Sequence, residues 1–154
     1  MADSIHIAEY DSVIREVLDS EGEFRMYPHG TSMRPLLRQG IDSVVIKALT
    51  SSPCKDDILF YQRSDGSYIL HRVKAVTSKG LIMVGDNQTV LEYGVTEDQI
   101  IGRVTRIFRN EKEINCEGFR YRGYLWLWQF MMIRRLVLPV INRLYNIRKG
   151  GRSQ

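Results

Sequence analysis

Cysteine is scarce. Cys54 and Cys116 are the only two in 154 residues, far apart and in no spacing that suits a metal or a redox pair. Two lone thiols fit a reducing compartment, and a single disulfide between them is the alternative. Neither metal nor cofactor is expected. The opening residues, Met1-Ala2-Asp3-Ser4-Ile5-His6, have no basic start and no apolar core of signal-peptide length. This predicts a cytoplasmic chain. No uninterrupted apolar run reaches the roughly 20 residues that a membrane-spanning helix needs. Internal repeats, low-complexity segments and interdomain linkers are also missing, and 154 residues make one ordinary domain with a core of its own.

Charge is present but uneven. The net charge is +4, yet from Arg103 onward Arg and Lys far outnumber the three Glu, so the first two-thirds are net acidic. A basic, aromatic-rich end suits anionic lipid or nucleic acid, or simply forms a solvated face.

Apolar residues at Ile7, Tyr10, Val13, Ile14, Val17 and Leu18 follow a helical spacing. They predict an N-terminal helix over Ile5 to Leu18, capped by Asp3 or Ser4, ended by Ser20-Glu21-Gly22 and packed on the domain. Phe24 to Tyr27 reads as a short strand. Ser43-Val44-Val45-Ile46-Lys47 is β-branched and predicts another. Ile58-Leu59-Phe60-Tyr61 and Tyr68 to Val73 flank the hairpin signal Ser64-Asp65-Gly66-Ser67. A turn at Ser78-Lys79-Gly80 leads to Leu81-Ile82-Met83-Val84. Ile100 to Phe108 predicts a long strand, with a hairpin tip at Glu111-Lys112-Glu113. Short strands at regular intervals predict a mainly β (α+β) fold, a coiled antiparallel sheet or partly open barrel.

Tyr124 to Ile147 differs from what precedes it. A dense apolar block is interrupted by Arg134-Arg135, resumes at Leu136-Val137-Leu138, and carries Pro139, which predicts a kink. Two readings stand: an amphipathic helix in a membrane interface, with Trp and Tyr at headgroup depth, or a helix that caps the sheet or packs on a partner. The chain thus divides into an N-terminal helix (1–22), a β-domain (23–118) and a basic, apolar helical tail (119–154).

The chemistry is carried by three blocks. Gly30-Thr31-Ser32-Met33-Arg34-Pro35 places a serine in a tight turn with a stiff exit. Leu70-His71-Arg72-Val73 puts a histidine in a strand. Gly85-Asp86-Asn87 supplies an acid at the end of another. A serine hydroxyl needs a neighbouring base to attack at neutral pH, and histidine titrates near there and can return the proton to a leaving amine. Together with Asp57-Ile58-Leu59-Phe60 and Ile100-Ile101-Gly102-Arg103-Val104, these blocks resemble the serine peptidase superfamily of type I signal peptidases and self-cleaving LexA-type repressors. The resemblance covers about half of the chain, Phe24 to Phe108. His71 stands where most members have a lysine, as in the endoplasmic-reticulum and archaeal signal peptidases.

The resemblance implies a sheet of the signal-peptidase type, Ser32 as nucleophile and His71 as base. For the third place Asp86 of the Gly-Asp-Asn turn is favoured, with Glu92, which stands where the histidine branch has its triad acid, as its rival. It implies the Ser32 backbone N–H as an oxyanion donor. Gly30 occupies the position where some signal peptidases offer a hydroxyl, so a second donor there would be backbone. Met33 is expected to line a substrate pocket or the core, and Pro35 to fix the loop beside it. The chain departs from the pattern at Gly40-Ile41-Asp42, one residue longer than usual, and at Asp56-Asp57, where Gly-Asp is usual. The N-terminal anchor of signal peptidases is not seen either.

The expected function is a serine endopeptidase that takes an extended peptide, such as a precursor's leader, by strand addition. It would be cytoplasmic, with peripheral contact at the inner membrane face through the C-terminal helix. The alternatives are an inactive fold of this type used as a binding or membrane-associated scaffold, and a self-cleaving repressor-like regulator. The latter needs a helix-turn-helix, for which one N-terminal helix leaves no room. Nucleic acid is not an expected partner, because the tail is too apolar for a phosphate-contact surface.

Overall fold

The computed structural model describes residues 11–20 and 22–150. Ser43–Lys47 (β2), Ile58–Gln62 (β3), Tyr68–Thr77 (β4), Gly80–Val84 (β5) and Ile100–Arg109 (β7) form where β-branched and aromatic residues concentrate. Phe24–Met26 (β1), Glu92–Val95 (β6) and Lys112–Glu113 (β8) are shorter. The eight strands make one sheet in the order β1-β2-β7-β3-β4-β5-β6, with β8 on β7, and every pairing is antiparallel. The sheet does not close into a barrel, since β1 and β6 end it without pairing to each other.

Side chains alternate across a strand, so neighbouring residues feed opposite faces. Ile58 and Phe60 of β3 join a core that includes Val44, Ile46, Leu70, Ile101 and Ile107. Leu59 and Tyr61 join a second core with Val73, Leu81, Met83 and Val95. Both faces are therefore covered. Asp11–Asp19 (α1) contributes Ile14 and Leu18, one turn apart, to the first core. Burial of this kind stabilises by roughly 1.5–3 kcal/mol per side chain. The expected stretch before Asp11, with its Asp3 or Ser4 cap, lies outside the described residues.

The hairpin at Ser64 to Ser67 forms as expected. Gly66 has φ 85°, and the Asp65 carboxylate accepts from the Ser67 amide and hydroxyl. The turn after β7 falls instead at Asn110-Glu111, both at positive φ (49° and 63°), which brings Lys112 and Glu113 back onto β7. β6 was not foreseen. Its four residues Glu-Tyr-Gly-Val are too few to show a strand pattern, and Gly94 sits at φ 76°.

The C-terminal segment is two helices rather than one: Phe119–Trp128 (α2) and Met131–Gly150 (α3). The break falls at Gln129-Phe130, and α3 runs on through Pro139, where a kink was expected. No single described helix is long and apolar enough to cross a membrane. Cys54 and Cys116 are free thiols.

Candidate active site

The Ser32 loop lies between β1 and β2 and is anchored from below. Met33, Leu36 and Leu37 are buried in the first core, and Gly30 takes φ 85° in open space. Its other support is the Gly85-Asp86-Asn87 turn after β5. The Asn87 amide donates to the Ser32 carbonyl at 2.7 Å. A Cβ on Gly85 would stand 2.6 Å from that same carbonyl oxygen, so only glycine permits this approach.

Asp86 is fully buried at the centre of this support. Its carboxylate accepts from Arg72 Nε at 2.9 Å and Nη2 at 2.8 Å, and from the Tyr124 hydroxyl at 2.8 Å. Its carbonyl accepts from the Trp128 indole at 2.7 Å. Arg72 also donates to the Asp56 carbonyl at 2.8 Å and to the Tyr121 hydroxyl at 3.2 Å. Arg134 of α3 donates to the carbonyls of Trp128, Gly85 and Gln88 at 2.7, 3.1 and 3.2 Å. The Asn142 amide reaches the Asn87 side chain at 3.0 Å. The turn that holds the serine loop is thus gripped by β4 and both C-terminal helices.

His71 precedes Arg72 on β4, so its side chain leaves the opposite face of the sheet. It lies opposite Leu59 of β3 and is 4% exposed. Its Nδ1 stands 3.5 Å from the Tyr61 hydroxyl and 3.9 Å from Glu92 Oε2. Tyr61 donates to Glu92 Oε2 at 2.7 Å. Arg63 grips the same carboxylate through Nε and Nη2 at 2.7 and 2.6 Å. Burial, and then the nearby Arg63 charge, lower the His71 pKa to about 4 against the opposing pull of Glu92 and Asp86. The imidazole is therefore neutral near pH 7. Glu92 titrates below the usual carboxylate range, chiefly because Arg63 donates to it, with burial opposing and Tyr61 assisting.

Of the two candidate acids, Glu92 faces His71. Asp86 does not: its carboxylate is committed to Arg72 and Tyr124, and it supports the Ser32 loop from beneath. The structure thus places the rival acid, Glu92, near the histidine and commits Asp86, the favoured one, to Arg72 and Tyr124. Because the Tyr61 proton goes to Glu92, the Tyr61 oxygen is free to accept from His71 in the tautomer that carries its proton on Nδ1 and leaves Nε2 bare.

Ser32 and His71 line neighbouring hollows. A pocket of about 110 Å³ is bounded by Ser32, Met33, Gly30, Leu37, Tyr68 and Leu70. A cavity of about 380 Å³ is bounded by His71, Arg63, Glu92 and the 87–91 loop. Asn87 joins the two, touching the Ser32 carbonyl on one side and lining the His71 cavity on the other. Among the described residues no hydrogen bond links Ser32 Oγ to His71. Met33 belongs to both the pocket and the first core. Pro35 does not line that pocket; it borders another hollow with Leu36, Tyr121 and Tyr124, and its carbonyl accepts from Arg109 at 3.2 Å. The described residues hold no group of three or more His, Cys, Asp or Glu placed to bind a metal.

Sequence reasoning missed Tyr61, Arg63, Tyr124, Trp128, Arg134 and Asn142. Tyr61 had a readable signal, since even-numbered spacing puts β3 and β4 residues on shared faces once the hairpin register is known. The helical residues had none, because no local pattern says what a helix 40 residues away will cover. Searches for known proteins of similar sequence or structure find no match: no family model, no curated protein and no solved structure.

Proposed function

We propose that this protein is a serine endopeptidase of the signal-peptidase type, with Ser32 as nucleophile, His71 as base and Glu92 orienting the histidine through Tyr61. One observation carries the reading: a buried histidine, backed by a Tyr61–Glu92 chain, shares its cavity with Asn87, whose amide holds the Ser32 carbonyl at 2.7 Å. In this mechanism Ser32 Oγ attacks the peptide carbonyl carbon while His71 Nε2 takes the hydroxyl proton. The peptide C–N bond breaks, the same proton passes to the leaving amine, and an acyl-serine ester remains. Water then repeats the sequence and releases the acid. The Ser32 N–H is the oxyanion donor that the loop offers.

An extended peptide would add to a free edge of the sheet, where β6 leads from Glu92 and carries its outer backbone groups unpaired by any described strand. The rival reading is a non-catalytic scaffold, favoured by the absence of a Ser32 Oγ–His71 hydrogen bond, although such bonds are often loose before substrate binds. A fluorophosphonate probe together with a peptide-library cleavage assay separates them. Wild type should label and cleave, and Ser32→Ala should do neither. Cleavage that persists in Ser32→Ala, or is absent from wild type at every pH between 4 and 9 (about the range over which a His71 base is free), would sink the peptidase.

A further inference from the structure

The outward face of α3 is apolar, the reverse of an ordinary surface helix. Its inward face mixes polar with apolar residues: Arg134, Asn142 and Tyr145 alternate with Val137, Leu138 and Ile141. Arg134 is buried on the carbonyls of Trp128, Gly85 and Gln88, Asn142 bonds Asn87, and Tyr145 lies under the Arg34 guanidinium at 4.9 Å. Leu138 is the buried apolar residue among them. These contacts fix the rotation of the helix. They turn Leu136, Val140, Leu144 and Ile147 outward, each 58–75% exposed and spaced by four, four and three residues along one stripe. At the α2–α3 corner, Trp126 and Phe130 extend the apolar surface, paired edge to face at 5.4 Å.

Charge decides what covers this surface. From Phe119 to Gly150 there are seven Arg and Lys and no Asp or Glu. Arg134 is buried, whereas Arg135 and Arg143 are exposed on α3 beside the stripe, and Arg120 and Arg122 are exposed on α2. A second copy of the chain would bring the same cations against them. An anionic bilayer complements both features at once: acyl chains accept the Leu/Val/Ile stripe, headgroup phosphates meet the arginines, and a Trp sits at the boundary.

We infer that the outer face of α3, with the Trp126–Phe130 corner, is a docking surface for an anionic lipid bilayer, the helix lying parallel to it. The inference does not depend on the peptidase reading. It does connect to the site, because the opposite face of α3 holds the turn that supports Ser32, so docking would fix the site's height above the lipid.

The test uses the full chain and phosphatidylcholine vesicles with or without phosphatidylserine. Wild type should pellet with the anionic vesicles and not with phosphatidylcholine alone. Val140→Glu/Leu144→Glu should stay in the supernatant, and Arg135→Gln/Arg143→Gln should bind about thirtyfold more weakly. Circular dichroism confirms that each variant is folded. Brominated lipid should also quench tryptophan fluorescence in wild type and fail to do so in Trp126→Phe, a readout that survives if the glutamate variant does not fold. Equal pelleting of wild type and Val140→Glu/Leu144→Glu would overturn the inference. So would a wild-type dimer that the glutamate pair dissociates, without vesicle binding, which assigns the stripe to a second copy. Peptide cleavage in solution is scored separately, so loss of one function leaves the other readable.

Discussion

Two arginine–carboxylate pairs flank the candidate site, similar in geometry and different in kind. Arg72–Asp86 is 3% and 0% exposed at its side chains, bidentate, and hydrogen-bonded on its remaining sides by Tyr121, Tyr124 and the Asp56 carbonyl. Arg63–Glu92 is equally bidentate but 35% and 25% exposed, and it borders the cavity beside His71. A buried pair with both carboxylate oxygens hydrogen-bonded is a fixed strut, and removing one partner strands a charge in low dielectric. A half-exposed pair can be perturbed without collapse, because water screens what is left. The first pair therefore holds the architecture, while the second tunes a titratable group.

The sharpest break in that comparison is Asp86→Ala. It should cost about 3–5 kcal/mol by leaving Arg72 buried without its counter-ion, read as a lower urea midpoint, whereas Glu92→Ala should cost under about 1 kcal/mol. Equal losses would erase the distinction.

His71 supplies the next effect. Its pKa in the fold is about 4, below the roughly 6.5 of the unfolded chain, so between those values the unfolded state binds more protons. Stability is then full above about pH 6.5 and falls as pH drops toward 4, by about 3 kcal/mol in total. Thermal melts of wild type and His71→Phe across that window should diverge in slope, the variant being flatter. Parallel slopes would remove the buried, neutral histidine.

Glu92→Gln tests the second pair in catalysis. It keeps the shape but removes the charge that, in the proposed mechanism, would orient and stabilise a protonated His71, so that mechanism requires kcat/KM to fall by roughly a hundredfold or more while the urea midpoint barely moves. A variant as active as wild type would detach Glu92 from the mechanism.

Tyr61→Phe should have the smallest effect. It deletes the hydroxyl between Glu92 and His71 and should lower kcat by about tenfold with little change in KM. A purely structural tyrosine would leave the pH–rate profile in place; the relay through its hydroxyl requires the acidic limb to move.

The contrast also explains what could be read in advance. Strands β2 to β5 and β7 were legible because β-branched residues and turn signals mark them locally. Ser32 and His71 stood out for their chemistry in context. The acid did not, because Asp86 and Glu92 are both carboxylates near the same turn, and only the pairing register assigns them. Arg72 and His71 are adjacent in sequence, yet the pleat sends one toward Asp86 and the other toward Glu92. The β6 strand was hidden for a related reason: of its Glu-Tyr-Gly-Val sequence only Val95 is buried, too little apolar pattern to mark a strand.

The residue pattern by itself determined the strand positions, the serine-and-histidine inventory and the basic, acid-free character of the final helices, since each is a property of neighbouring residues. Tertiary structure alone decided which carboxylate lies near the histidine and which face of α3 meets the outside. The reason is the same in both cases. A side chain's partner depends on where another element is placed, and on α3 the contacts of Arg134 and Asn142, together with burial of Leu138, set the inward face.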